Sequence, residues 1–178
     1  MLKGFILKKF SKIRIKNAHG GLYLMNIFQD EHIEVLALLL EDNVEFLVVG
    51  GFAVNFYGYR RTTGDVDLWL KPDNQNKLKL IEAFNKLEIE ETDILYLKSL
   101  NFESHLVFHI GEEPSRIDFL THINGVEWSK AWEAKTAVKI EKLDIPFIHK
   151  NHLIESKIMT GRAQDIADIE GLQNNSES

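Results

Sequence analysis

The sequence has no cysteine and only three prolines among its 178 residues. Without thiols, a disulfide framework and a thiolate zinc site are both excluded. No apolar run approaches the ~20 residues that span a bilayer. The apolar stretch Gly4 to Leu7 is too short for a secretory signal core. The expectation is therefore a reduced, cytoplasmic setting with no membrane attachment. No repeat and no interdomain linker interrupts the chain, which is long enough for one domain with a real core.

Acidic residues are missing from residues 1–24, which carry Lys3, Lys8, Lys9, Lys12, Arg14 and Lys16. The formal net charge of −6 thus hides an acidic body, with 15 basic against 27 acidic residues beyond position 24. Such a body lacks the broad basic face of a general nucleic-acid binder, although a small local patch is compatible with it. Residues 1–24 are expected to form a poorly ordered basic arm; contact with RNA or a membrane surface is the alternative. Met25 is a possible natural start. A domain over 25–173 and a polar tail over 174–178 complete the expected division.

The most informative stretch runs from Phe46 to Leu70, FLVVGGFAVNFYGYRRTTGDVDLWL. Phe46 to Val49 reads as a buried strand, and Gly50-Gly51 as a backbone that turns tightly or lets a ligand approach. Ala53 to Tyr57 reads as a short helix stopped by Gly58. Then Arg61, Thr63, Asp65, Asp67 and Trp69 alternate with core-facing Val66, Leu68 and Leu70. A period of two places the two carboxylates on one strand face, about 6–7 Å apart and able to grip one metal ion.

This pattern resembles the nucleotidyltransferase superfamily typified by DNA polymerase β: a strand ending in Gly-Gly, a short helix, an Asp-x-Asp strand and a third aspartate on a later strand. More narrowly, Gly50-Gly51-Phe-Ala followed by Arg61-x-Thr63-x-Asp65-x-Asp67 is similar to small bacterial nucleotidyltransferases related to abortive-infection toxins. The resemblance implies an α/β (α+β) fold, with a mixed β-sheet flanked by helices and a C-terminal helix pair. It makes Asp65 and Asp67 the main Mg²⁺ ligands, and Asp118 the third ligand and general base for an acceptor hydroxyl. Gly50 and Gly51 would offer backbone N–H groups to phosphates. Many superfamily members have Ser after the glycines where this chain has Phe52, so that hydroxyl contact is missing.

Carboxylates brought to ~5 Å repel by roughly 3 kcal/mol at an effective dielectric of 20, so a converged trio calls for a cation. Arg61 either pairs with phosphate or forms an ion pair holding Asp65, and Thr63 serves the nucleotide or only hydrogen-bonds its neighbours. In the segment Lys157-(x)₄-Arg162-(x)₂-Asp165-(x)₂-Asp168, the resemblance sends Lys157 to the triphosphate. The three-residue spacing puts Arg162, Asp165 and Asp168 on one helical face, where they lock two helices together. The seven histidines show no metal-ligand spacing, so His105, His109 and His122 read as strand or loop residues. Trp69, Trp128 and Trp132 read as core or cleft wall, with Trp69 bordering the metal site.

Elsewhere the pattern predicts a helix from Asn26, striped by Ile27, Ile33, Leu36, Leu39 and Leu40. A second is capped by Asp73 and runs to about Leu87, burying Leu78, Ile81, Phe84 and Leu87. Residues 88–100 read as a loop with a short helical piece, and Phe102 to Leu120 as a hairpin. Val126–Ala134 reads as a helix. Strands are expected at 136–140 and 145–148, the second at an edge because of Pro146, and helices at 151–159 and 162–172. The expected activity is transfer of a nucleoside monophosphate from ATP or another NTP to a hydroxyl of tRNA or protein, as the toxin-like member of a toxin–antitoxin or phage-defence pair with a cognate antitoxin. Antibiotic adenylylation of a small molecule is a second reading. A non-catalytic nucleotide-binding or antitoxin-like partner is a third. The sequence leaves the oligomeric state open.

Overall fold

The computed structural model describes residues 28–87 and 89–174. The basic arm, Ile27 and the tail from 175 lie outside the described residues. Along the chain, α1 (Asp30–Glu41) leads into β1 (Phe46–Val49), α2 (Gly50–Phe56) and β2 (Val66–Leu70). Next come α3 (Asn74–Asn85), α4 (Glu91–Ser99) and the hairpin of β3 (Val107–Ile110) and β4 (Ile117–Leu120). The chain then continues through α5 (Trp128–Glu133), β5 (Thr136–Ile140), β6 (Leu143–Phe147), α6 (Lys150–Thr160) and α7 (Ala163–Asn174).

The six strands form one mixed sheet in the order β3-β4-β2-β1-β6-β5. Antiparallel pairing joins β1 to β2, β3 to β4 and β5 to β6; β2–β4 and β1–β6 are parallel. Every residue of β1 is buried, as its β-branched, unbroken apolar run demands for a central strand. On one sheet face α3 seats Phe84 edge-on to Phe119 of β4, with ring centroids 5.5 Å apart. On the other, Trp128 of α5 stands edge-on to Trp69 of β2 at 5.0 Å.

Several expectations change in the structure. The short helix begins at Gly50 rather than Ala53, because the turn is made at Gly50 itself, with φ +59°. The ladder of β2 begins only at Val66, so Arg61 to Asp65 lead into the strand without belonging to it. Trp69 is 2% exposed and does not border an open cleft, since α5 covers its half of that face. Asp73 caps α3 by accepting from the Asn76 N–H, as the sequence predicts. The inner stripe of α3, however, is Asn76, Leu80, Ile81, Ala83 and Phe84, and Leu78 is solvent-facing. Residues 88–100 contain a full helix, α4, held by buried Ile94 and Leu97.

Pro146 does not mark an edge: β6 is internal and β5 lies outside it. Its ladder with β1 is a single register position, Val48 opposite Phe147, continued by the Ile148 N–H to the Val48 carbonyl at 3.0 Å. N–H groups two residues apart point the same way along a strand, so the one that would extend this ladder belongs to Pro146 and does not exist. The parallel pairing stops there.

Candidate active site

The edge of β2 nearest Gly50 carries the candidate chemistry. The register sets Asp67 directly opposite Asp118 on β4, and Asp118 opposite His109 on β3. Paired residues share a face, so Asp67, Asp118 and His109 form a row across three strands spaced about 4.8 Å apart. One pleat away, the Val66 N–H donates to the Arg116 carbonyl at 3.1 Å, which brings Asp65 and Arg116 alongside each other.

Asp67 is sunk against the Gly-Gly turn. A Cβ at Gly50 would overlap the Asp67 carboxylate, and the left-handed φ of Gly50 independently demands glycine. The Gly51 N–H donates to Asp67, so this amide serves the carboxylate. A Cβ on Gly51 would collide with the Thr63 side chain and lie 3.1 Å from Arg61 Nη2. Burial pushes the Asp67 carboxyl up to about 6, helped by the like charges of Asp118 and Asp65 and opposed by the Gly51 N–H and Lys157. Asp65 is raised as well, by desolvation first, and its buried Oδ1 has no hydrogen-bond partner.

Asp118 is differently placed. Arg116 donates from Nε to Oδ1 at 2.7 Å and from Nη2 to Oδ2 at 3.1 Å, and its Nε lies 3.9 Å from Asp65 Oδ2. Sequence reasoning passed over Arg116, although its signal was present: two residues before Asp118 in a strand means the same face. Among the described residues, no three histidine, aspartate or glutamate side chains stand ready as a metal-holding group. The donor chemistry nonetheless fits Mg²⁺, with hard carboxylate oxygens, one of them buried without a partner, and a raised Asp67 that a cation would relieve.

Arg61 does not hold Asp65. Its Nε lies 2.8 Å from Asp168 Oδ1, and its Nη2 donates to Oδ2 at 3.2 Å. Asn55 fixes the Arg61 backbone, accepting its N–H at 2.8 Å and donating to its carbonyl at 3.0 Å. Lys157 is buried and donates to Asp165 Oδ1 at 3.0 Å and Asp168 Oδ2 at 2.6 Å. Arg162 donates to Asp165 at 2.8 Å. Burial alone would raise Asp165, yet Arg162 and Lys157 hold it down at about 2. The helix-locking role expected of Arg162, Asp165 and Asp168 therefore extends to Lys157 and Arg61. Thr63 Oγ1 lies 3.5 Å from the Asp65 carbonyl, a weak neighbouring bond.

Phe52, at the position of the missing Ser, faces the core. It stacks on Phe28 at 5.0 Å and meets buried His32 edge-on at 5.8 Å. The His105 and His122 rings stack on each other at 3.6 Å, and burial lowers the His122 pKa.

The fold and this face define an α/β domain whose mixed sheet carries Asp67 and Asp118 beside a glycine turn, with Asp65 just ahead of β2. The chain belongs to the family described as "Nucleotidyl transferase of unknown function (DUF2204)", whose profile matches residues 28–178. No curated protein shows significant similarity to it. Among the described residues, no helix is long and apolar enough to cross a membrane.

Proposed function

We propose that this chain transfers a nucleoside monophosphate from ATP or another NTP to an acceptor hydroxyl, with Mg²⁺ as cofactor and pyrophosphate as the leaving group. The observation that carries the reading is Asp67, wedged between the Gly50-Gly51 turn and Asp118 with its pKa raised to about 6. Asp65 and Asp67 would hold the metal, and Asp118 would join them once released by Arg116. A bound Mg²⁺ supplies charge neutralisation on the triphosphate. The chain's own contribution is positional. Gly50, without a Cβ, leaves room for the Asp67 carboxylate against the turn. Thr63 and Arg61 brace Gly51 from behind. Lys157 lends positive potential to Asp67 from its place between α6 and α7. Asp118 is the group in the row that accepts the acceptor's proton.

The family supports nucleotidyl transfer, and the motif resemblance favours tRNA or protein as acceptor in a toxin–antitoxin or phage-defence setting. A small-molecule acceptor, as in antibiotic adenylylation, belongs to the same chemistry. The non-catalytic, nucleotide-binding reading has two observations in its favour: both oxygens of Asp118 are engaged by Arg116, and Phe52 offers no hydroxyl. Incubation with each α-labelled NTP, Mg²⁺ and cell extract separates the two. Label should enter one RNA, protein or small-molecule fraction, and Asp67→Asn should reduce it by about 10²–10³, the scale of one lost preorganised electrostatic contact. Nucleotide binding without any transfer would favour the non-catalytic reading.

A further inference from the structure

We propose that Arg116 is a built-in substitute for the divalent cation, which binds Asp118 in the metal-free protein and moves to the triphosphate when nucleotide and metal arrive together. The inference rests on the nucleotidyltransferase reading and adds a residue and an order of assembly to it.

The geometry is that of a cation already in place. The guanidinium forms a two-point fork on Asp118, at 2.7 and 3.1 Å, and lies 3.9 Å from Asp65. It therefore meets two of the three candidate ligands, and Glu113 also acts on it electrostatically. Its fork leaves neither oxygen of Asp118 free of a partner, while Asp65 Oδ1 has none. A metal ion arriving alone meets an Asp118 already neutralised. It must break a charge-assisted pair and leave the arginine unpartnered beside another cation.

Nucleotide removes that obstacle. Phosphate oxygens match the guanidinium fork as well as a carboxylate does. The Arg116 side chain is 33% exposed, so its head can exchange partners without unpacking the core. Once on phosphate, it frees Asp118 for the metal and neutralises charge on the leaving group. Metal and nucleotide thus bind with positive, reciprocal coupling.

The test counts Mn²⁺ bound by the full chain, from the electron paramagnetic resonance signal of free Mn²⁺, with and without a non-hydrolysable NTP analogue. Wild type should bind Mn²⁺ weakly alone and about tenfold more tightly with the analogue. Arg116→Gln should bind Mn²⁺ alone about two- to fivefold more tightly than wild type, a range typical of one partly exposed ion pair, and gain little from the analogue. Arg116→Lys keeps the charge without the fork and should fall between them. It carries the test if circular dichroism shows the glutamine variant unfolded. Asp67→Asn is the control for the parent reading and should lose the bound Mn²⁺. If Asp67→Asn loses Mn²⁺ but neither arginine variant tightens it, the Arg116 proposal is overturned and the enzyme reading stands. If Asp67→Asn binds Mn²⁺ like wild type, the enzyme reading itself is overturned, and this inference with it.

Discussion

Replacing Asp67 by Asn removes one charge and almost no volume, so its effect isolates the electrostatics of the row. The amide oxygen can still accept the Gly51 N–H that Asp67 accepts. The carboxyl is raised from 3.8 to about 6, so the folded protein binds this proton more tightly than the unfolded chain. The sign follows from linkage: where the native state holds more protons, stability falls as pH rises. The penalty is absent below 3.8, grows between 3.8 and about 6, and is complete above that. Its size corresponds to about 3 kcal/mol at most. Partial solvation reduces this, so Asp67→Asn should stabilise the metal-free protein by about 1.5–3 kcal/mol near pH 7.5 and by nothing near pH 4. For a chain of this length, that is a rise of about 3–10 °C in the thermal midpoint. Scans of both proteins in chelator from about pH 4 to 8 give the assay, with slopes differing only above the acid limb. Excess Mg²⁺ with NTP should then raise the wild-type midpoint and leave the variant unmoved, because a ligand stabilises only the state that binds it. A variant less stable than wild type across the whole range would refute the reasoning and make Asp67 a structural anchor.

Other substitutions probe the supports of the row. Gly50→Ala combines a left-handed φ with a methyl group inside the Asp67 carboxylate, so it should cost about 2 kcal/mol or more by chemical denaturation and abolish transfer. Lys157→Met leaves Asp165 and Asp168 buried without their shared cation. A loss of about 3–5 kcal/mol is expected, and an unchanged urea midpoint would contradict the packing described. Gly171→Ala sets a methyl group into the Tyr59 ring. It should lower the midpoint by about 1–3 kcal/mol and weaken nucleotide binding in isothermal titration, because Tyr59 belongs to the segment leading to Arg61.

The sequence carried its local structure openly. The run Phe46–Val49 read as a buried strand and is one, and Asp73 announced its helix through the Asn76 N–H it accepts. The alternation that sets Asp65 and Asp67 at every second position was readable, but the pairing of Asp67 with Asp118 was expected only from the family resemblance. What remained hidden depended on partners distant in sequence. Trp69 fell on the polar face by alternation, and only α5, some sixty residues later, decided that this half of the face is covered. Leu78 and Leu80 looked equally apolar, but the helix is rotated to place Leu80 and Asn76 inward; Asn76 bonds the Glu45 backbone from both ends of its amide. Pro146 suggested an edge because the pattern did not reveal that the neighbouring ladder ends beside it. Arg61 was read against phosphate or its nearest carboxylate in sequence, yet its partner lies 107 positions away.

That last distance has a consequence for the life of the chain. Strands β1 and β2, with their glycines and aspartates, emerge early in synthesis, but the loop that braces Gly51 is fastened by Asp168 of α7. At ribosomal speeds of about 5–20 residues per second, the gap between Arg61 and Asp168 lasts from roughly five to twenty seconds. For about the first half of it Asp118 is still missing from the row, and for all of it the loop carrying Arg61 lacks the carboxylate that fastens it.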